Sequence, residues 1–480
     1  MPPLQLIRLS SIFDISAEEW DSIVTDGDTL NSHAYLAAME QSGINGWSYC
    51  YLLFYREQQL VAHVSAGILE FNLDLMAQGG LKRIFSLIRR VLPRFLHIKM
   101  IECGHPTALG NTFVLSPAVQ HRDILPHIDR ELRRVAREHH TNLVLIRDVR
   151  THERRAFLPL YGLGYRIVPN MTNTFLRITQ SDFTHYLADL TAKRRHEVRF
   201  HRKKFAAQGC SVERVEDFAP WAQCMVELWN NTAARASEYQ REQLNAEFFR
   251  SMSDQLGKRS FALLCMRNGV PIGFTVLIDA GHSLISTYCG LDYRYNRSTH
   301  AYFVLFYASI EAATQLRKNW LELGITSYIP KIELGALPEP LRIYVTATNP
   351  VYRLLLAPFL RLTGRTPYLP LRNVFNRQYS QQHQFKTAPA AQAFGVAYRV
   401  ISASERYIVL DGAHPPLRRR FNLYLQDSFH YPFLLKVRCT KSTTTTRQQL
   451  RISCHVIERS SLRLFLWHRF RQRLTPETVT

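Results

Sequence analysis

Two early stretches, residues 49–55 (YCYLLFY) and 60–69 (LVAHVSAGIL), are rich in aromatic and β-branched residues and flank the polar turn REQQ, which reads as a β-hairpin. Over 122–140, Ile124, Leu125, Ile128, Leu132, Val135 and Ala136 recur every three to four positions, the period of a helix with one buried face. Asn142 ends that helix, and LVLIRDV (143–149) is a buried-strand candidate. A short helix (152–160) and a turn at Gly162 and Gly164 lead into a strand pair over 165–178.

The second half repeats this grammar. It predicts a helix over 182–208, a strand over 210–216, and helices over 218–230 and 241–257. A hairpin follows around Asn268-Gly269, a two-residue turn signal, and then a strand over 284–291. A hydrophobic helix (301–316) and a strand (320–323) come next, with Tyr328 and Lys331 placed on the strand-to-loop exit. Two passes of hairpin, helix and strand predict an α/β (α+β) protein made of two tandem copies of one unit. The expected divisions are 1–180, 181–376 and a linker with a basic extension over 377–480. In that extension QYSQQHQFKTAPAAQAFG reads as linker and KSTTTTRQQ as low complexity, with strands expected within 398–410 and 421–437.

Composition sharpens this picture. At 480 residues, 46% hydrophobic and 11% aromatic, the chain has ample material for several cores and is not of disordered type. The eight cysteines are scattered, with no CxxC pair and no HExxH, so buried thiols in a reducing compartment are expected and a metal site is not. No run of about 18 apolar residues occurs, and the first twenty residues lack a basic stretch followed by an apolar one, so a cytoplasmic protein is expected. Net charge is +21, of which residues 381–480 supply 11. Such a surplus favours anionic partners (phosphates, nucleic acid, acidic carrier proteins or acidic lipid) without choosing among them.

Three features could carry chemistry. Between Lys193 and Lys204 there are seven Lys/Arg and one acid, Glu197. On a helix Arg195, Arg199 and Arg202 share a face, and such a row suits phosphate or carboxylate; it is equally the composition of a solvated face. Residues 81–99 (LKRIFSLIRRVLPRFLHIK) put an apolar stripe opposite a cationic back, with Pro93 as a kink. That pattern fits a helix lying in a membrane interface or one packed on its own sheet, and 351–362 (VYRLLLAPFLRL) is a shorter relative. Third, Tyr328 could donate a hydrogen bond to a reacting group and Lys331 could bind an oxyanion, with Glu322 and Glu333 as alternative bases. His300 opens a helix just before Tyr302, where backbone amides favour an anion. His105 and His282 are isolated.

Several segments together resemble the Fem-type and BioF2-like branch of the GNAT acyltransferase superfamily. LTAKRRHEVRFHRKKF resembles the element opening its second domain; LDYRYNRSTHAYFVLFYASIEAA and LGITSYIPKIELGALPEPLRIYV follow in the family's order. WSYCYLLFYREQQLVAHVSAG, LVLIRDV and LPLYGLGYRI resemble its first domain, so the likeness covers roughly 10–375. The resemblance implies two tandem GNAT-like domains and transfer of an acyl or aminoacyl group to an amine or hydroxyl. It places Tyr328 and Lys331 at the cleft floor, and Arg294 and Arg297 are expected to hold donor phosphates, with His300 and Tyr302 kept as substrate-binding candidates from the helix start. Implied donors are acyl-CoA, another acyl carrier or aminoacyl-tRNA; the rival non-catalytic reading is a basic scaffold for nucleic acid or acidic lipid. One departure matters: GNAT enzymes grip the CoA pyrophosphate with a Gly-rich loop, whereas the corresponding 294–301 (RYNRSTHA) holds no glycine. This puts direct CoA binding there in question and leaves the arginines for another phosphate-bearing donor. The long helical hairpin arm of several tRNA-using relatives has no counterpart in the sequence pattern.

Overall fold

A computed structural model describes residues 3–72, 87–88, 97–150, 153–235 and 242–350, short pieces at 352–354, 374–376 and 378–379, and six strands within 390–456. The first half runs β1 (Gln5–Leu9), α1 (Ala17–Asp21), α2 (His33–Gln41), β2 (Ser48–Arg56), β3 (Gln59–Asn72), β4 (His97–Cys103), β5 (Phe113–Leu115), α3 (His121–Glu138), β6 (Leu143–Val149) and β7 (Arg166–Arg177). The second continues with α4 (Phe183–Asp189), α5 (Ala192–Ala207), β8 (Cys210–Val215), α6 (Ala222–Arg235), α7 (Ala246–Leu256), β9 (Ser260–Arg267), β10 (Val270–Ala280) and β11 (Ser283–Leu291). It ends with α8 (Tyr293–Thr299), α9 (Ala301–Gln315), β12 (Trp320–Gly324), α10 (Tyr328–Glu333) and β13 (Leu337–Ala347).

These strands form one 13-stranded sheet in the order β1-β2-β3-β4-β6-β13-β7-β12-β11-β10-β9-β8, with β5 beside β3. The order is nearly a palindrome. Four antiparallel strands start each half, and the last of them runs parallel to a fifth: β4 to β6, and β11 to β12. The sixth strand of each half is exchanged, so β13 pairs with β6, β7 pairs with β12, and the two exchanged strands pair with each other. A cut at residue 180 therefore leaves β7 paired wholly with second-half strands.

The helices cover both faces. On one face α2 packs on α7, so Leu36 and Met39 share a core with Phe248, Phe249 and Met252 across the two halves. On the other, α3 covers the first half with the six residues read from its period, while α5 and α9 cover the second. The halves also meet at Gly27 and Gly281; a Cβ on Gly27 would lie 2.6 Å from the Gly281 Cα, and both glycines hold positive φ.

Several elements differ from the pattern: the strand pair expected over 165–178 is the single strand β7, and the helix expected over 152–160 is two 3-10 turns, Glu153–Arg155 and Leu158–Tyr161. The helix expected over 182–208 is broken at Leu190 and Thr191, both extended. There residues 374–376 cross: Thr191 N–H donates to the Val374 carbonyl (2.8 Å) and Asn376 N–H to the Asp189 carbonyl (2.7 Å). Tyr328 and Lys331 lie on the short helix α10, entered through Ser327 at φ 52°, and not on a strand exit. Residues 81–99 lie outside the described residues except 87–88 and the three that open β4, as do 351 and 355–362. Beyond them β14 (Ala390–Ala393), β15 (Val396–Ala403), β16 (Tyr407–Gly412), β17 (Arg420–Gln426), β18 (Pro432–Thr444) and β19 (Leu450–Val456) close into an antiparallel barrel. No helix among the described residues is long and apolar enough to cross a membrane.

Candidate active site

The parallel pair β11 and β12 stays in register only from Ser283–Ile285 against Trp320–Glu322. Beyond that the strands part. Gly324 joins β7, its carbonyl taking a hydrogen bond from Thr174 Oγ1 (2.6 Å), while β11 follows β10 to Leu291. β11 carries one extra residue between the pairs Thr275↔Cys289 and Leu277↔Ser286, a bulge of the kind that re-aims side chains next to sites. At Gly290 the α6 backbone lies against the strand; a Cβ there would overlap the Phe274 ring and sit 2.6 Å from Trp229 N. α6 is thereby held over the gap, with Thr232 Oγ1 accepting from Leu291 N–H (3.1 Å).

The gap opens a cavity of about 690 Å³, within the usual range for small-molecule sites. Trp229, Thr232 and Arg235 of α6 line it on one face of the sheet, and Tyr302 and Phe306 of α9 on the other. β11 supplies Ile285–Cys289, and the run from Glu322 to Lys331 forms the opposite wall. The first half adds Thr107, Ala108, Leu109 and Arg147.

Its wall is chemically mixed. Lys331 is buried, with 5% of its surface exposed, and its Nζ lies 4.0 Å from where a Cβ on Gly324 would be. The Tyr328 hydroxyl accepts the Thr172 N–H (3.3 Å), which ties the phenol to β7. Glu322 receives two bonds from Arg150 Nη2 (both 2.8 Å) and one from Asn173 (3.2 Å), and Arg150 Nη1 also meets Glu339 at 3.4 Å. Burial works against the Arg150 charge, but Glu322 and Glu339 outweigh it and hold the guanidinium's proton more tightly than usual. Burial pushes the Cys289 thiol up to about 12, with Lys331 pulling the other way, so it is a neutral thiol at pH 7.

Of the residues singled out from the sequence, Tyr328, Lys331 and Tyr302 meet in the cavity, as does Glu322. The basic helix does not reach it. Arg195 donates to the carbonyls of Leu187 (2.8 Å), Ala188 (2.9 Å) and Leu190 (3.0 Å), closing the C-terminus of α4. Arg199 is exposed, and Arg202 stands outside near Glu311 (3.7 Å). Glu333 pairs with Arg194 (3.1 Å) away from the cavity. His300 stacks on His201 (centroids 4.4 Å), facing α5.

The expected anion site before α9 is filled by the chain itself. Ala301 N–H donates to Thr299 Oγ1 (3.3 Å), Tyr302 N–H to Asn296 Oδ1 (3.0 Å) and Phe303 N–H to the His300 carbonyl (3.0 Å). His300 supplies the left-handed conformation (φ 57°) that a glycine would adopt more readily. Arg294 forks onto Asp292 (2.6 Å) with its side chain mostly in solvent, and Arg297 is exposed beside it. The residues of this loop thus do not fit the backbone cradle that a CoA pyrophosphate needs.

The sequence reading did not find Trp229, Tyr288, Arg147 or the Arg150–Glu322–Glu339 cluster. The charges in LVLIRDVR, within an otherwise apolar strand, were the available signal: a buried strand carries an arginine only with partners. Among the described residues no group of three or more His, Cys, Asp or Glu is placed to hold a metal.

Comparison with known proteins agrees with the resemblance read from the segments. A relative from Mycobacterium tuberculosis, found in two strains and named “Putative 8-amino-7-oxononanoate synthase 2”, is 26% identical over 343 residues, 70% of this chain. The chain spans only 44% of that relative's length. Among solved structures, FemX matches with a TM-score of 0.48 and 13% identity, over 73% of this chain and 99% of its own. A tandem GNAT protein from the clavulanic acid biosynthesis pathway gives 0.44 and 12%, over 72% and 99%. The FemAB-like family, described as peptidoglycan biosynthesis/recognition, matches residues 101–363, more than half of the chain and wholly within the 10–375 stretch. The chain is a member of the FemAB-like family.

Proposed function

We propose that the protein is an acyltransferase that moves an acyl or aminoacyl group from a phosphate-bearing donor to an amine or hydroxyl acceptor, through the gap between β11 and β12. The observation that carries this reading is a buried lysine, Lys331, on the wall of a cavity lined by helices from both faces of the sheet. The acceptor's lone pair forms the new bond to the acyl carbon, the bond to the donor's leaving group breaks, and the acceptor's proton departs with that group. Negative charge grows on the acyl oxygen, where Lys331 offers a fixed positive charge in a partly apolar site and Tyr328 a hydrogen bond. Glu322, engaged by Arg150 and Asn173, orients the wall and does not serve as the base. A CoA donor would have to be held without backbone amides at the α9 start, which leaves Arg235 on the cavity lining for a donor phosphate. A cytoplasmic site of action, at the membrane surface, completes the reading.

The test begins with mass spectrometry of ligands retained by the purified protein, which identifies the donor without a guessed substrate. With that donor, Lys331→Ala and Tyr328→Phe should each lower turnover, the lysine change by about 10²–10³-fold. Full turnover in both variants sinks the assignment.

A further inference from the structure

The basic helix α5, which takes no part in the cavity, lies beside a second hollow. A groove of about 420 Å³ runs between α5, α9 and β8. Its walls are mainly apolar, from Phe205, Val212, Leu263, Val304 and Ala308, and two guanidiniums, Arg202 and Arg214, stand on its lining. Arg202 lies over the Phe183 ring (5.0 Å) and meets Glu311, also on the groove lining, at 3.7 Å; Arg214 lies over Phe261 (4.0 Å) and donates weakly to Glu216 (3.5 Å). One turn before Arg202 comes Arg199, on the same side of the helix, with Lys203 next to it; both are exposed. Phe200 projects from the same outward surface with 43% of its area in solvent. The single acid on the helix, Glu197, is turned to Arg194 (2.6 Å).

We propose that α5 seats the protein on an acidic phospholipid bilayer, with headgroup phosphates on Arg199, Arg202 and Lys203 and one acyl chain in the groove. Each part of the surface asks for this combination. An apolar trough with cations at its edge fits an anionic amphiphile, because chain and head are satisfied together. A single soluble amphiphile would need only the groove; the cations and the exposed phenylalanine outside it match a surface carrying many anionic heads and an apolar layer beneath. A nucleic acid would use the cations but leave the trough empty. The proposal is independent of the transfer reading, since no cavity residue takes part.

Flotation of the full chain with phosphatidylglycerol-containing vesicles, against phosphatidylcholine alone, tests it. Binding should require the acidic lipid, and Arg199→Gln and Lys203→Gln should each lower partition about fivefold, roughly 25-fold together. Equal binding to both vesicle types, or an unchanged partition in the double variant, overturns the proposal; the latter would leave binding to residues 81–99. The groove is read separately by native mass spectrometry of protein exposed to phosphatidylglycerol. Wild type should retain one lipid and Ala308→Trp none, with Ala312→Leu as a milder filling should the tryptophan not fold. A lipid retained in the filled groove, or RNA binding that the two glutamines weaken while vesicle binding persists, also overturns it.

Discussion

Replacing Arg150 by methionine removes a cation that bridges Glu322 and Glu339, whose side chains are 8% and 2% exposed. Unpairing a buried carboxylate costs about 3–5 kcal/mol. Arg150 itself is 22% exposed, so some water reaches the site and the lower end, about 3 kcal/mol, is expected. Asn173 compensates Glu322 with a single bond and does nothing for Glu339. The loss falls on the centre of the sheet, since Arg150 follows β6 while the acids sit on β12 and β13. In urea, with a slope of about 3 kcal/mol/M, the unfolding midpoint should drop by about 1 M, followed by the emission of Trp320 beside Glu322. Adding Glu322→Gln and Glu339→Gln removes the stranded charges and should restore most of the midpoint. A triple variant no more stable than Arg150→Met, or a single variant that unfolds like wild type, refutes the account.

Stability should also fall in mild acid through His63, which stacks on Trp20 (centroids 3.8 Å) and whose pKa burial pushes down to about 3. The folded state leaves this imidazole neutral while the unfolded chain binds a proton below about pH 6.5, so its contribution is full above 6.5 and is lost as pH falls toward 3. Between pH 7.5 and 5 that amounts to about 2 kcal/mol, and His63→Leu should reduce the drop by that amount; an unchanged pH slope in denaturant titrations would falsify it. The exchanged strands give a second expectation: residues 1–180 made alone lack β13 between β6 and β7, so they should be insoluble or unstructured and recovered only on co-expression with 181–480. Independent folding of 1–180, seen as a cooperative melt, contradicts this.

Local pattern was enough for elements whose neighbours are close in sequence. The α3 face and the Asn268-Gly269 hairpin follow from period and turn chemistry alone. What tertiary contacts decide was not legible. β13 carries Pro338 and Pro340, which remove two ladder donors, and it was not picked out from the sequence; yet it sits at the centre of the sheet, with a register shift just past Pro340 absorbing the misfit. The break between α4 and α5 comes from residues 374–376, nearly two hundred positions away. Tyr328 and Lys331 could be named because they lie three residues apart between a Gly-terminated apolar strand and a second glycine, Gly335, although the residues between form the helix α10. The row Arg195, Arg199 and Arg202 could not be assigned, because helical spacing gives a common side but not what that side faces.

Both halves have a parallel pair, β4 with β6 and β11 with β12. In the first half β4 and β6 run together from Met100–Cys103 against Leu143–Ile146, and beyond them the Arg147 side chain fills the space. Its guanidinium meets Glu102 (3.0 Å), Asp148 (3.0 Å) and the His105 carbonyl, and it lies so close to Gly104 that a Cβ there would come within 2.9 Å of Nε. A hollow of about 10 Å³ lies nearby, between α2 and strands β2 to β4, against about 690 Å³ for the cavity at the second half's parallel pair. The same guanidinium reaches the wall of the larger cavity. One side chain of the first half, Arg147, thus both closes off the end of its own parallel pair and lines the cavity formed at the other.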